Sequence, residues 1–263
     1  MNFCFVLYSL IRNFVGKEEM SNSYFQFRQF TVHQERCAMK VGTDGCLLGA
    51  WARGGERILD VGTGTGVIAL MMAQRFPDAS VTAIDIDAAA VSQARENVAA
   101  SPFAARIEVH QADFTTFSSP FTLHQYTSII SNPPYFADSL QCPDAQRTQA
   151  RHTTSLSYET LMAHAAELLD ADGEISVIVP FDSLQRMESA AALAGLMLSR
   201  RCAVYTTMRK PPRRYLLAFR KSTIPSTLKE KQPCSPFMQR IGESLLIGSP
   251  EYHTLLRDFY LKL

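Results

Sequence analysis

From residue 57 onward, short β-branched runs alternate with longer stretches of helical periodicity, and this alternation restricts the possible folds most. Strands that alternate with helices bury both faces of a parallel sheet, so the pattern points to a doubly wound α/β architecture. The spacing predicts strands over 57–61, 80–85, 106–110 and 126–131, with helices over 67–75 and 88–100. A helix over 158–169 ends before Asp172-Gly173, a helix stop, and leads to a fifth strand over 174–179 closed by Pro180. After a helix over 183–194, β-rich runs at 201–207 and 215–220 are joined by Met208-Arg-Lys-Pro-Pro-Arg-Arg214. So short a connection favours a hairpin. The expected product is a seven-stranded sheet, mostly parallel, ending in an antiparallel pair. Residues 222–236 read as a loose linker and 252–263 as an amphipathic helical tail.

The length of 263 residues suits one domain with a sizeable core, and 46% hydrophobic against 19% charged residues marks a globular chain. A formal net charge of +1 makes no case for a nucleic-acid partner, so any such case rests on where cations cluster. The six cysteines show no C-x-x-C pair, which reads as reduced thiols in a cytoplasmic protein and as no metal site. The apolar start is too short for a membrane span of roughly 20 residues and lacks the positive n-region of a signal peptide. Residues 1–19 are expected to be an extension from a misplaced start, with the native chain running from Met20 as a single domain, 20–263.

The sharpest local signal is Asp60-Val-Gly62-Thr-Gly64-Thr-Gly66, which follows the first strand and opens a helix. Glycines there let the backbone turn tightly and approach a ligand that a Cβ would hold off. Asp85 ends the next strand, where a carboxylate accepts hydrogen bonds from ribose hydroxyls. Asp113 follows the third strand, placed to accept from an adenine amino group. A glycine run alone leaves a packing turn and an NAD site open. The GxGxG spacing with Asp60 just ahead resembles the S-adenosylmethionine loop of class I methyltransferases. That resemblance implies S-adenosylmethionine as cofactor, with Asp60 orienting its methionine part. A zwitterionic tail, unlike a pyrophosphate, does not require a helix N-terminus.

Asn132-Pro133-Pro134-Tyr135 ends the fourth strand, and ligands of doubly wound sheets bind beyond the C-terminal strand ends. Two prolines with fixed φ and no N–H hold a rigid turn whose carbonyls stay available. The Asn132 side-chain oxygen and the Pro133 carbonyl are then placed to accept both hydrogens of one amine. Tyr135 offers a face for a planar base or amide, worth roughly 1–3 kcal/mol for a base. Drawing both protons toward acceptors discourages delocalisation of the lone pair and aims the nitrogen at an electrophilic methyl. Positioning and electrostatics supply most of the rate in such chemistry.

Residues 57–135 resemble the class I methyltransferases with an NPPY motif, which act on adenine N6, guanine N2 or glutamine amides. A wider set of features runs from about Tyr24 to the C-terminus. It begins with Phe25-x-Phe27-x-x-Phe30-x-Val32-x-Gln34 and the stretch from Cys37-Ala-Met-Lys40 to Trp51. It continues through Ala73-Gln-Arg75, Ser131-Asn-Pro-Pro-Tyr-Phe136, Ala150-Arg-His152 and Asp258-Phe-Tyr-Leu-Lys262. Together these resemble the tRNA valine-1 adenine-N6 methyltransferases. The resemblance implies as target the adenine 3′ of the anticodon, and as cofactor contacts Lys40, Thr43, Asp60, Gly62, Gly64, Gly66, Asp85, Ile86, Asp113, Phe114 and Asn132.

Arg147, Arg151, Lys210, Arg213 and Arg214 fall in expected loops near the strand ends, as candidate tRNA contacts. The most suggestive run is Arg209-Lys-Pro-Pro-Arg-Arg214. Arg151-His152 equally suits bracing of the NPPY loop. Lys40-Val-Gly-Thr-Asp44 is expected both to cover the cofactor and, through Thr43 or Asp44, to cap a helix over 46–52. His33 and His110 read as packing or surface residues. No membrane, metal or obligate protein partner is expected.

Three rival readings stay open. A glutamine-amide methyltransferase acting on a release factor shares the NPPY chemistry, but usually carries a longer helical domain than the about 35 residues between Met20 and the first strand. A DNA adenine methyltransferase would bring a target-recognition region. A non-catalytic RNA-binding module would not need the glycines, Asp85 and Asn132 together.

Overall fold

The computed structural model describes residues 23–118, 126–134, 156–221 and 244–261. Residues 1–19, Tyr135, Arg147, Arg151 and the 222–236 linker lie outside the described residues. Two short strands, β1 (Tyr24–Gln26) and β2 (Thr31–His33), pair antiparallel as a separate ribbon, and α1 (Thr43–Trp51) follows. Next come β3 (Arg57–Val61), α2 (Val67–Arg75), β4 (Ser80–Asp85), α3 (Ala88–Ala99), β5 (Ile107–Gln111) and β6 (Tyr126–Ser131). The chain continues through α4 (Tyr158–Leu168), β7 (Leu169–Pro180), α5 (Leu184–Leu193), β8 (Leu196–Tyr205), β9 (Arg214–Lys221), β10 (Ser244–Leu246) and α6 (Pro250–Leu256).

Among the described residues the main sheet has eight strands in the order β10-β8-β9-β7-β6-β3-β4-β5. Strands β3 to β7 run parallel, and β9 lies antiparallel between β7 and β8. This is the expected α/β sheet with its antiparallel hairpin, plus one short strand, β10, parallel to β8. The inner strands are buried on both faces, and the polar residues among them, Asp60, Ser128 and Ser131, are buried as well. One core unites the sheet with α1, α2, α3 and α6, and the other unites it with α4 and α5.

Three boundaries differ most from the sequence reading: the tail helix α6 spans Pro250–Leu256 rather than 252–263, and two strands start early. Strand β7 begins at Leu169, directly after α4, so Asp172-Gly173 does not stop the helix. The β6–β7 register jumps from Tyr126↔Leu169 to Ser128↔Glu174, which bulges residues 170–173 out of the ladder. A Cβ at Gly173 would sit 3.0 Å from the Tyr126 carbonyl oxygen, so the glycine serves a close backbone approach. Strand β8 likewise starts at Leu196, five residues early, because β9 pairs along its whole length.

The two ends of the described chain hold each other. Arg28 Nε donates to the Tyr260 carbonyl at 2.7 Å, the Arg28 N–H donates to the Phe259 carbonyl, and Phe27 bridges Tyr260. Gln74 Nε2 donates to the Asp258 carbonyl at 2.8 Å, and Arg75 donates to the Gly49 and Ala52 carbonyls at the end of α1. The Ala73-Gln-Arg75 and Asp258-Phe-Tyr features are thus architectural, satisfying helix-end carbonyls and stapling the ribbon to the sheet.

Candidate functional site

Four strand ends meet along one edge of the sheet. Val61 of β3 aligns with Ser131 of β6 and Ile84 of β4, and Asp85 aligns with Gln111 of β5. Gly62, Asn132, Asp85 and Asp113 therefore leave the sheet close together. The order of connection reverses between β3 and β6, and that reversal opens a crevice. The cleft has a volume of about 900 Å³, and its wall includes Lys40, Thr43, Gly62, Gly64, Asp85, Ile86, Asp113, Phe114, Asn132, Pro133, Pro134, Arg213 and Arg214. Asp60, Gly66 and Lys210 stand outside that wall.

The glycine loop adopts left-handed backbone at Gly62 (φ 72°), Gly64 (φ 55°) and Gly66 (φ 83°). Cβ atoms added at Gly62 and Gly64 would meet nothing within 4 Å, because both positions face the open cleft; one at Gly66 would lie in contact with Ala94 of α3 at 3.4 Å. The first two glycines thus form a cradle that side chains would fill, while the third serves helix packing.

Carboxylates fix the loop. Asp85 accepts from the Gly64 N–H at 2.8 Å on one oxygen and from the Asp87 N–H at 3.0 Å on the other. Each oxygen keeps a lone pair that can accept from a further donor. Asp60 is fully buried beneath the loop, where its Oδ2 accepts from the Thr63 hydroxyl at 2.6 Å and the Ala69 N–H at 3.1 Å. Its Oδ1 has no partner among the described residues. Burial pushes the Asp60 carboxyl up to about 7, against the pull of those two donors.

Asp113 turns inward on its own loop, accepting from the Thr115 N–H and hydroxyl at 2.9 and 2.8 Å. Phe114 is buried in the cleft wall with the His164 ring edge-on at 5.0 Å. Ile86 is 53% exposed and covers the rim beside Asp85. Ser131 Oγ donates to the Val61 carbonyl at 3.0 Å and clamps β6 to β3 just before Asn132. Cys37 lines the same cleft; burial, then the carboxylates of Asp85 and Asp87, push its thiol up to about 11, so it stays neutral.

Lys40 and Thr43 lie on the wall as expected, but the helix cap is Gly42, with no side-chain capping bond, and Thr43 is the first helical residue. The Asp44 carboxylate is instead 2.8 Å from Arg214 Nε, joining α1 to the hairpin. Arg214 is therefore a half-buried brace. Lys210 and Arg213 are exposed on the β8–β9 turn. His33 and His110 sit at the surface.

Sequence reasoning missed Asn97. It is fully buried on α3, accepts from the His33 N–H at 2.8 Å, and donates to the His33 and Thr65 carbonyls. One side chain thus fastens the N-terminal ribbon to the glycine loop. The available signal was Gln93 and Asn97, polar residues four apart among Ala90, Ala94 and Val98 on an inward helical face. Ser157, which caps α4, and Thr160 within it also line the cleft, as do Val204 of β8 and Thr206 just after it.

Among the described residues no group of His, Cys, Asp or Glu is arranged to hold a metal, and no helix is long and apolar enough to cross a membrane. Residues 46–194 match the family model of the methyltransferase small domain. The chain is 23% identical to the solved structure of a predicted O-methyltransferase, protein Atu636 from Agrobacterium tumefaciens, with a TM-score of 0.51 over 69% of this chain and 82% of that one. That likeness supports the fold. A curated tRNA1(Val) (adenine(37)-N6)-methyltransferase of Bacteroides thetaiotaomicron is 46% identical over 93% of this chain and 100% of its own length. Relatives with the same description from Phocaeicola vulgatus and Tolumonas auensis are 48% and 41% identical, each over 93% of this chain. The cleft geometry, the family model and these relatives agree, and the chain belongs to the tRNA1(Val) (adenine(37)-N6)-methyltransferase family.

Proposed function

We propose that this protein transfers a methyl group from S-adenosylmethionine to the exocyclic N6 of adenine 37 in a valine tRNA, the activity its curated relatives are named for. The observation that carries the reading is the alignment of Val61 with Ser131, which sets the glycine cradle beside the Asn132-Pro133 turn. When bound, the cofactor supplies an electrophilic sulfonium methyl. Gly62 and Gly64 leave room for its methionine part, Asp85 takes the ribose hydroxyls, and Ile86, Asp113 and Phe114 receive its adenine. Asp60 orients the methionine part from behind the loop, Gly66 sets the loop against α3, and Lys40 and Thr43 close the cleft over them.

On the target side, the Asn132 side-chain oxygen and the Pro133 carbonyl accept the two N6 hydrogens, which aims the lone pair into the cleft. Pro134 stiffens that turn and Tyr135 stacks on the base. Rate comes from positioning rather than from a strong base. Lys210 and Arg213 take phosphates, and Arg147 and Arg151 are assigned the same role from sequence alone. Arg214 contributes first as the brace to Asp44.

The protein acts in the cytoplasm and needs no obligate protein partner. Purified protein, S-adenosylmethionine and unmodified valine tRNA test the reading, with nucleoside mass spectrometry locating the methyl. N6-methyladenosine at position 37 is expected. Methyl transfer to a release-factor glutamine and none to RNA would overturn it.

A further inference from the structure

We propose that Phe181 is a stacking platform for the nucleotide next to the target adenine, an inference that rests on the RNA reading above. Phe181 directly follows Pro180, the last residue of β7, and opens a short turn. Val177 of β7 aligns with Ser131 of β6, so Phe181 stands three residues further along the sheet direction than Asn132, on the adjacent strand. At about 3.3 Å per residue and 4.8 Å between strands, the offset is about 11 Å. Stacked nucleotides rise about 3.4 Å each, so the span exceeds one stacked step, and the neighbour meets the platform because the target base is splayed out of its stack. The platform is within reach of a neighbour of a base held at Asn132.

The ring is presented rather than merely left over. Phe181 is 42% exposed, although Val177, Ile178 and Val179 before it are fully buried. Tyr215 of β9 backs the ring at 6.1 Å between centroids with 22° between planes, which fixes its orientation. The Phe181 N–H donates to the Arg213 carbonyl at 3.3 Å, tying the ring to the β8–β9 turn. That turn carries exposed Arg209, Lys210 and Arg213, none of them in an ion pair among the described residues. A flat apolar face tied to a turn that carries such cations complements a single-stranded RNA, whose bases stack on aromatic rings while its phosphates meet the cations. An apolar protein partner would leave those cations without counter-charges.

Three variants and one probe test the assignment, using the whole protein and an anticodon stem-loop RNA. Phe181→Ala and Phe181→Leu are expected to raise KM for the RNA by roughly 5-fold to 100-fold, the loss of one stacked base. Affinity for S-adenosylmethionine and the melting temperature stay at wild-type values, and Phe181→Tyr restores the RNA KM. A 2-aminopurine beside the target adenine is expected to lose fluorescence on binding wild-type protein, and to keep it with saturating Phe181→Leu. If Phe181→Leu matches wild type in KM and quenching, or if the variants lower cofactor affinity and melting temperature together, the platform is overturned while wild-type methylation stands. If the wild-type protein neither binds nor methylates the stem-loop, the RNA reading falls and takes the platform with it.

Discussion

On one side of the cleft, Asp85, Asp60 and Asn97 hold the glycine loop through a chain of hydrogen bonds, whereas on the β8–β9 turn, which adds Arg213 to the cleft wall, Arg209, Lys210 and Arg213 are exposed to solvent. The two sides suit ligands of different kinds. A small cofactor with one bound shape gains from a site fixed in advance, because little ordering is left to do on binding. A long, hydrated polyanion gains from accessible cations, since releasing its counterions drives association. The Asn132 turn lies between the two, rigid like the first and open like the second.

The contrast implies that damage to one side leaves the other working. The largest expected effect is at Gly64. A β-branched residue at φ 55° is strained, and its side chain would project into the cradle. Gly64→Val is expected to weaken S-adenosylmethionine binding by at least about thirtyfold, equivalent to ~2 kcal/mol. Calorimetry reads the cofactor and filter binding reads the RNA, whose affinity should hold. Equal loss of both ligands would show that the two sides are not separable.

Next in size is the turn between them. Asn132→Ala removes one of the two proposed acceptors for the target amine and is expected to slow methyl transfer by at least about tenfold, roughly one lost hydrogen bond. Cofactor affinity should fall less than the transfer rate. Unchanged activity would take Asn132 out of the mechanism.

The same contrast separates what the sequence discloses from what it hides. The strands at 57–61, 80–85 and 126–131 and the helix at 67–75 fall where periodicity puts them, because each is decided by its own apolar spacing. The glycine loop is legible for the same reason: φ > 0 at Gly62 and Gly64 is a local demand that only glycine meets cheaply. Strand β10 was not legible, since three residues become a strand only by lying against β8 about forty residues earlier. Asn97 hid because its partners, His33 and Thr65, are far apart in sequence, and Arg214 looked free until α1 supplied Asp44. Tertiary contacts assign those roles, and no local pattern carries them.

Smaller effects are expected at the β8–β9 turn, the proposed RNA side, where each cation acts alone. Lys210→Ala and Arg213→Ala should each weaken RNA binding a few-fold and lower the slope of log affinity against log salt by about 1. Cofactor affinity stays at the wild-type value in both. A slope that does not move would mean that the turn faces solvent and not phosphate.

The smallest effect comes from the buried acid of the cofactor side. Burial raises the Asp60 carboxyl from 3.8 to about 7 in the folded chain, while in the unfolded chain it titrates near its ordinary value. Between those two values the folded protein holds a proton that the unfolded chain has released. Stability therefore falls as pH rises through that window. Asp60→Asn keeps a neutral acceptor for Thr63 and Ala69 and removes the titration. The cofactor-free wild type is expected to lose more melting temperature than Asp60→Asn between about pH 5 and about pH 8. Saturating S-adenosylmethionine should narrow that difference, because a nearby ammonium favours the carboxylate. Parallel melting profiles without cofactor would mean that Asp60 reaches water, and a difference untouched by cofactor would detach this acid from the methionine part.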